Sequence, residues 1–313
     1  MFERAFFGTE PTGTSPTFID SRVAAIRRKT RSLGASLRSD EIPDAWMRRL
    51  DDQIQKLNHQ SFRALVLDYD GTLLCPPAEE PARGVIDRLE LLLRNGMVLG
   101  IATGRDPRIA TRLRRVFRLA LQEQIWLGCA NGAEICRLID PIESCDELCA
   151  ELRPVKAALE SDPILRHAAN IKCTRQQLTI SSKGLFSRDA LWRIANLHAR
   201  RSGGQGIRTV ATTYSVDILA PGASKLNLFA AIYKLGIHPH EILCIGDQGR
   251  WPGNDFELLE HEFALSVDET SECWSCGWNL APRGYRGPRA TLYYLETTAP
   301  SAPGYFRLRL PAK

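Results

Sequence analysis

Short apolar runs that end in polar residues alternate with helical stripes through the middle of the chain. The run 64–67 leads into Asp68, with Asp70 two residues on and then Gly71-Thr72. A run this short reads as a buried strand. A Pro-rich loop over 75–81 follows, then a helix with Val85, Ile86, Leu89, Leu92 and Leu93 on one face, closed by Asn95-Gly96. A second buried strand, 97–102, ends in Thr103-Gly104-Arg105. Asp106 can cap the next helix with Pro107 at its first position, and Ile109, Leu113, Val116, Phe117 and Ala120 form its buried stripe. A third strand, 125–130, leads into Asn131-Gly132. This alternation predicts an α/β core built on a Rossmann-like, doubly wound parallel sheet.

Between residues 136 and 220 the pattern changes. Leu148, Leu152, Val155 and Leu159 outline a helix bent at Pro154, and two strand-like segments follow at 171–174 and 178–181. Ser187 opens a helix through Leu191, Ile194, Ala195 and His198, stopped by Gly203-Gly204, and strands fit 207–212 and 214–219. Helix, strand, strand repeated twice implies a small α+β domain with an antiparallel sheet, inserted in the core. The core resumes at 221–225 with a helix carrying Leu226, Phe229, Ala230 and Tyr233, strands at 242–245 and 263–267, and a last helix within 282–296.

The flanks are less regular. Residues 1–17 read as an irregular arm, and helices fit 19–33 and 43–57. This leader is either an interaction segment, open to a protein partner, or a brace on the main domain. The expected division is a helical leader (1–60), a core (61–135 and 221–298), an insert (136–220) and a Pro-containing tail (299–313).

Composition narrows the class. A chain of 313 residues, 44% hydrophobic and 25% charged, can bury two real cores. No apolar run approaches the ~20 residues that span a bilayer, and the first ten residues lack a signal-peptide pattern, so a cytoplasmic protein without a membrane partner is expected. Nine scattered cysteines, an odd number, argue against a secreted disulfide framework. Cys145/Cys149 and Cys273/Cys276 could bind zinc jointly, but no histidine stands at ligand spacing beside them. The net charge of +5 is concentrated in Arg22–Arg38 and Arg105–Arg118, each with six basic residues, which suits phosphates or nucleic acid as well as a solvated helix face.

Chemistry then changes the picture. Asp68 and Asp70 would emerge together at a strand end, and two close carboxylates need a cation or strong donors between them. Hard oxygen ligands suggest magnesium; the bland alternative is a D-G turn. Asp68/Asp70, Thr103, Lys225 and Asp247 all fall at strand ends or helix starts that an open sheet brings to one edge. Together they supply what phosphoryl transfer requires: a carboxylate nucleophile, a proton-transfer group, a hydroxyl and an ammonium for phosphoryl oxygens, and acids for a metal.

With DYDGT, IATGR, the lysine of GASK and GDQGRWPGND, the sequence resembles the haloacid dehalogenase superfamily of phosphohydrolases across about residues 62–281. ATGR, NGAEI and VDILAPGASK are similar to the subclass with a large C2-type cap, which includes sucrose-phosphate, trehalose-phosphate and Cof-type phosphatases and phosphomannomutases. The resemblance implies that Asp68 attacks phosphorus to form an aspartyl-phosphate and that Asp70 protonates the leaving oxygen and later activates water. Thr103 and Lys225 would bind the transferring group. Magnesium would sit on Asp68, the Asp70 carbonyl and Asp247, with Asn254 or Asp255 contributing. The Asn-Asp pair commonly follows the Gly-Asp aspartate by three and four residues; here it follows Asp247 by seven and eight, leaving four extra residues.

Arg105, with Gly104, is a candidate phosphate contact or the partner of a nearby acid; Asn131 and Gly132 resemble substrate-side positions or form a plain turn. Trp192 and Trp278 read as packing, and no histidine is assigned a catalytic role. The expectation is a magnesium-dependent phosphatase of a small phosphorylated metabolite, sugar or nucleotide-like. Phosphomutase or phosphotransferase chemistry, removal of phosphate from a nucleic-acid end, and a non-catalytic subunit of the same fold stay open; a closed lid disfavours the polymer.

Overall fold

The computed structural model describes residues 18–34, 42–75, 77–142 and 147–311. The expected amino-terminal arm and Cys145 lie outside them. In chain order the elements are α1 (Phe18–Ser32), α2 (Asp44–His59), β1 (Ala64–Asp68), α3 (Arg83–Arg94), β2 (Val98–Ala102), α4 (Ile109–Val116), β3 (Ile125–Cys129) and β4 (Glu134–Arg137). Next come α5 (Arg153–Ser161), α6 (Pro163–Ala168), β5 (Ala169–Thr174), β6 (Gln177–Ser182), α7 (Arg188–Ser202), β7 (Arg208–Ala211) and β8 (Val216–Leu219). The chain finishes with α8 (Asn227–Tyr233), β9 (Ile242–Gln248), α9 (Phe256–Leu259), β10 (Ala264–Glu269), α10 (Gly287–Glu296), β11 (Thr298–Ala302) and β12 (Tyr305–Leu308).

The main sheet runs β10-β9-β1-β2-β3-β4, parallel except for β4, which pairs antiparallel with β3. Every residue of β1 is buried because alternate side chains serve two cores. Leu65 and Leu67 pack with α3, α4 and α10, whereas Ala64 and Val66 pack with Leu228 of α8 and Leu258 of α9. That demand on both faces is why the strand is a continuous apolar run. β1 lies between β2 and β9, so the chain reverses its winding direction there, and residues at the carboxyl ends of these strands converge on one crevice. The insert has its own antiparallel sheet, β5-β6-β8-β7, backed by Val155, Leu159, Leu191 and Ala195 from α5 and α7.

Several elements differ from expectation for local reasons. α4 starts at Ile109, because the Asp106 carboxylate accepts the Arg108 amide in a turn before it, and it ends before Ala120, which is exposed. Pro154 lies in the first turn of α5, where no backbone donor is lost, so it opens the helix and bends nothing. α6 was missed although Asp162-Pro163 announces it; Asp162 accepts the amides of Ile164 and Leu165. α8 buries Leu228, Phe229, Ala231 and Ile232, one position out of phase with the stripe read from sequence, and Ala230 faces solvent.

Neither flank is loose within the described residues. Most of the expected tail, from residue 299 to 308, lies in the β11–β12 hairpin; Phe306 pairs with Phe62 and is buried with Leu308 and Leu310 in the main core. α1 and α2 add Ile26, Leu50, Ile54 and Leu57 to the same core. The Lys29 ammonium donates to the carbonyls of Ser271 and Cys276 at 2.6 and 2.7 Å, and Arg28 reaches those of Asn279 and Ala281. The basic run in this leader thus braces α1 on the core. In the second basic run, Arg105 pairs with Asp70, Arg108 with Asp106 and Arg118 with Glu90, while Arg114 binds backbone carbonyls. No helix among the described residues is long and apolar enough to cross a membrane.

Candidate active site

β1 ends in Asp68, which is 1% exposed, and β9 carries Asp247, 4% exposed, on the adjacent strand. Asp68, Asp247 and Asp255 can each place one oxygen within 4.8 Å of the others, the one such cluster of potential metal ligands among the described residues. Lys225 stands among them, its Nζ donating to Asp68 Oδ1 at 2.5 Å and to Asp255 Oδ1 at 2.6 Å. The other oxygen of Asp255 accepts the amides of Asp247 and Gln248 at 2.9 and 3.3 Å. Asp255 therefore spends both oxygens on holding the site together, whereas buried Asp68 Oδ2 and Asn254 Oδ1 have no hydrogen-bond partner among the described residues.

Charge explains what the cluster needs. Burial pushes Asp68 up to about 8, the Asp255 charge adding to it and Lys225 opposing it. Asp247 is driven well above the usual carboxylate range by burial and by the charges of Asp255 and Asp68. Burial would lower Lys225, but Asp255 and Asp68 outweigh it and hold the ammonium above its ordinary value. Three carboxylates against one ammonium leave two negative charges when all are ionised, the balance a divalent cation restores. Oxygen donors, two of them unpartnered, fit magnesium.

Around this centre, Asp70 is gripped by Arg105, Nη2 to Oδ1 at 2.6 Å and Nε to Oδ2 at 3.0 Å, and the guanidinium lies 5.1 Å from the Tyr69 ring centre. Gly71 has φ +88°, and a Cβ there would stand 2.1 Å from Asp247 Oδ2, so only glycine lets this turn approach the second acid. Thr103 is fully buried at the end of β2; its hydroxyl accepts the Arg105 amide, and its backbone amide and carbonyl bond to Gly128 and Asn131. Ala130 and Asn131 adopt φ of 47° and 54°, strained backbone of the kind found where a site over-determines the chain. Gly132 (φ +81°) faces Ser224, whose carbonyl would lie 2.0 Å from an added Cβ, and so lets the GASK loop seat Lys225.

The insert roofs these residues. A cleft of about 690 Å³ is lined by Asp68, Asp70, Arg105, Asp247 and Asn254 below and by Lys172, Thr212, Tyr214 and Asp217 above. Asn131 Nδ2 reaches Gln177 Oε1 at 2.9 Å and Asp217 Oδ2 at 3.3 Å, and Gln177 donates to the Gly104 carbonyl. Burial pushes Asp217 up to about 6. Asp217, Gln177 and Gln248 were not anticipated from sequence; a buried polar residue within an apolar strand, as in Val216-Asp217-Ile218, was the available signal. Trp192 and Trp278 pack elsewhere, Trp278 fully buried and Trp192 donating to Thr209.

No family model matches the sequence, and no curated protein sequence matches it. Solved structures do. An IMP-bound, N-terminally truncated IMP-nucleotidase from Plasmodium falciparum superposes over 90% of this chain and 80% of that one, with TM-score 0.58 and 14% identity. A HAD/COF-like hydrolase from Plasmodium vivax matches over 78% of this chain and 98% of its own, with TM-score 0.58 and 13% identity. The chain has the haloacid dehalogenase fold. Within that HAD fold the six-stranded sheet is the Rossmann-like core and the four-stranded unit is the inserted cap.

Proposed function

We propose that the chain is a magnesium-dependent phosphatase that hydrolyses a phosphomonoester of a small metabolite, sugar or nucleotide-like, through an aspartyl-phosphate. The observation that carries this reading is the buried cluster of Asp68, Asp247 and Asp255 around Lys225, opening on a cleft that also presents Asp70 and Arg105. The IMP bound to the nucleotidase of the same fold supports a small phosphorylated ligand. In this reading the cap is the insert expected over 136–220, less Cys136, Arg137 and Leu138, which the β3–β4 pairing and the main core keep with the core; the core also takes in the β11–β12 hairpin, and cap closure excludes bulk water.

Asp68, fixed by Lys225, supplies the nucleophilic oxygen, and Oδ2 is the one without a protein partner. Asp70 donates a proton to the leaving oxygen and then takes one from water, once Arg105 turns from it to the phosphoryl group. Thr103 and Lys225 hold phosphoryl oxygens, while Gly104 lines the cleft, Asn131 holds its lining residues Gln177 and Asp217 from behind, and Gly132 seats the loop that carries Lys225. Asp68, Asp247 and Asn254, with the Asp70 carbonyl, would hold magnesium, and Asp255 would fix Lys225 and the Asp247 amide. A bound magnesium ion supplies positive charge that keeps Asp68 ionised and offsets charge on the phosphoryl oxygens.

The test is hydrolysis of an aryl phosphate by the purified protein with magnesium. Turnover that Asp68→Asn abolishes is expected; full activity in that variant refutes the assignment. Product analysis with excess sugar acceptor separates hydrolysis from phosphoryl transfer.

A further inference from the structure

The loop between Asp247 and Asp255 reaches out of the core and into the cap. The Ala211 amide at the end of β7 donates to the Pro252 carbonyl at 2.7 Å, and the Asn254 amide donates to the Ala211 carbonyl at 3.0 Å. Two backbone bonds to one cap residue thus bracket Gly253, immediately before Asn254. Trp251 meets Trp192 of cap helix α7 edge-on at 6.2 Å and Phe256, the residue after Asp255, at 4.7 Å. The Gln248 side chain accepts from Arg188 of the cap at 2.9 Å and donates to cap Thr213 and to Asp247 Oδ2, each at 3.1 Å. On the core side, Gly249 donates to the Glu269 carbonyl and Arg250 pairs with Glu272.

We propose that residues 248–253 are a strut through which the position of the cap and the placement of Asp247, Asn254 and Asp255 set each other, with Trp251 as its positioning residue. The cap cannot swing away without breaking both bonds at Ala211 and shearing Trp251 from Trp192. Each of those contacts lies within three residues of Asn254 along the chain. Whatever fixes the acidic loop therefore opposes cap opening, and by thermodynamic linkage whatever holds the cap shut tightens the acidic loop to the same degree. The extra residues of this loop thus carry the coupling. A loop that merely fills space would show none.

The inference rests on the phosphatase reading only for the identity of the ion. Backbone amide exchange on the full chain, with and without magnesium, tests it in the wild type, Trp251→Ala and Trp251→Phe. Without magnesium, the Ala211 amide should exchange about tenfold faster in Trp251→Ala than in the wild type, as loss of a local clamp allows, while Trp251→Phe stays near the wild type and amides of β1 do not change. Magnesium should slow Ala211 exchange in the wild type and in Trp251→Phe but not in Trp251→Ala. Unchanged Ala211 exchange in Trp251→Ala, or equal magnesium protection in all three, overturns the coupling. Should Trp251→Ala fail to fold, Trp192→Ala removes the same contact from the cap side and is judged by the same criterion. Absence of magnesium protection at the Asp247 and Asn254 amides of the wild type removes the ion from the proposed function, and the strut is then decided by the magnesium-free comparison.

Discussion

Arg105 grips Asp70 through both carboxylate oxygens, at 2.6 and 3.0 Å, and so ties the proposed proton donor to a cation at the same cleft. A phosphomonoester dianion entering the cleft competes with Asp70 for that guanidinium, a planar fork suited to either partner. Arg105→Ala is expected to weaken substrate and inorganic phosphate alike. KM and the phosphate inhibition constant should each rise on the order of tenfold, the scale of one charge-assisted contact. Steady-state kinetics with product inhibition measures both, and an unchanged inhibition constant would reduce the pair to a structural one.

Lys225 bridges Asp68 and Asp255 through its buried ammonium. Removing one member of a buried ionic cluster leaves the others uncompensated, which costs about 3–5 kcal/mol. Lys225→Met should therefore lower the denaturation midpoint of the metal-free protein markedly, and magnesium should recover part of the loss. Turnover should stay low even with metal, since the ammonium for the phosphoryl group is gone. Chemical denaturation with and without magnesium reads the first effect and aryl phosphate hydrolysis the second.

Much of this site was legible because its parts are tied to strand ends. Asp68, Thr103 and Asp247 each follow an apolar run whose burial on both faces leaves one reading, and the sheet order then brings them together. What stayed hidden depends on distant contacts. The Lys225–Asp255 bond, the reach of Gln248 into the cap and the Asn131–Asp217 bond join residues far apart in sequence, and the grip of Asp255 on the Asp247 amide depends on how the loop between them folds; no local pattern encodes any of these. The closing hairpin was hidden for a related reason: Ala299, Pro300, Ser301 and Ala302 carry no strand pattern, and the segment is ordered by Phe62 and α2.

That hairpin gives a stability test remote from the chemistry. Phe306 is fully buried, and its ring joins Phe62 and Leu57 in the main core. Phe306→Ala should cost about 3–5 kcal/mol, as truncation of a buried aromatic does. The protein that remains folded should keep its magnesium requirement and its KM. A loss of under about 1 kcal/mol by denaturant titration would mean that the hairpin only decorates the core.

Gly71 offers the opposite case, a small change beside the chemistry. At φ +88° with Asp247 Oδ2 only 2.1 Å from an added methyl, Gly71→Ala must move either the turn or the acid. A displacement near 1 Å at a reacting centre costs about 10²-fold in rate, so kcat should fall by that order. Magnesium should also be needed at higher concentration. Activity measured across a magnesium titration checks both at once.

The pH dependence of stability supplies the sharpest electrostatic test. Asp217 is pushed up to about 6 and Asp68 to about 8, chiefly by burial, whereas an unfolded aspartate titrates near about 4. Between these values the native protein keeps protons that the unfolded chain has shed, so the unfolded state binds fewer protons and stability must fall as pH rises. The contribution is whole below about 4 and is lost through about 6 for Asp217 and through about 8 for Asp68. The metal-free protein should lose on the order of 5 °C in Tm between pH 5 and pH 8. Asp217→Asn, which keeps an oxygen for Asn131 but cannot ionise, should flatten only the lower part of that decline. Magnesium at pH 8 should reverse the upper part by replacing the proton on Asp68 with a cation. A metal-free Tm that rises from pH 5 to pH 8 would show that the two acids are ionised in the fold without a cation, so that the excess negative charge is tolerated there and no longer argues for a divalent ion.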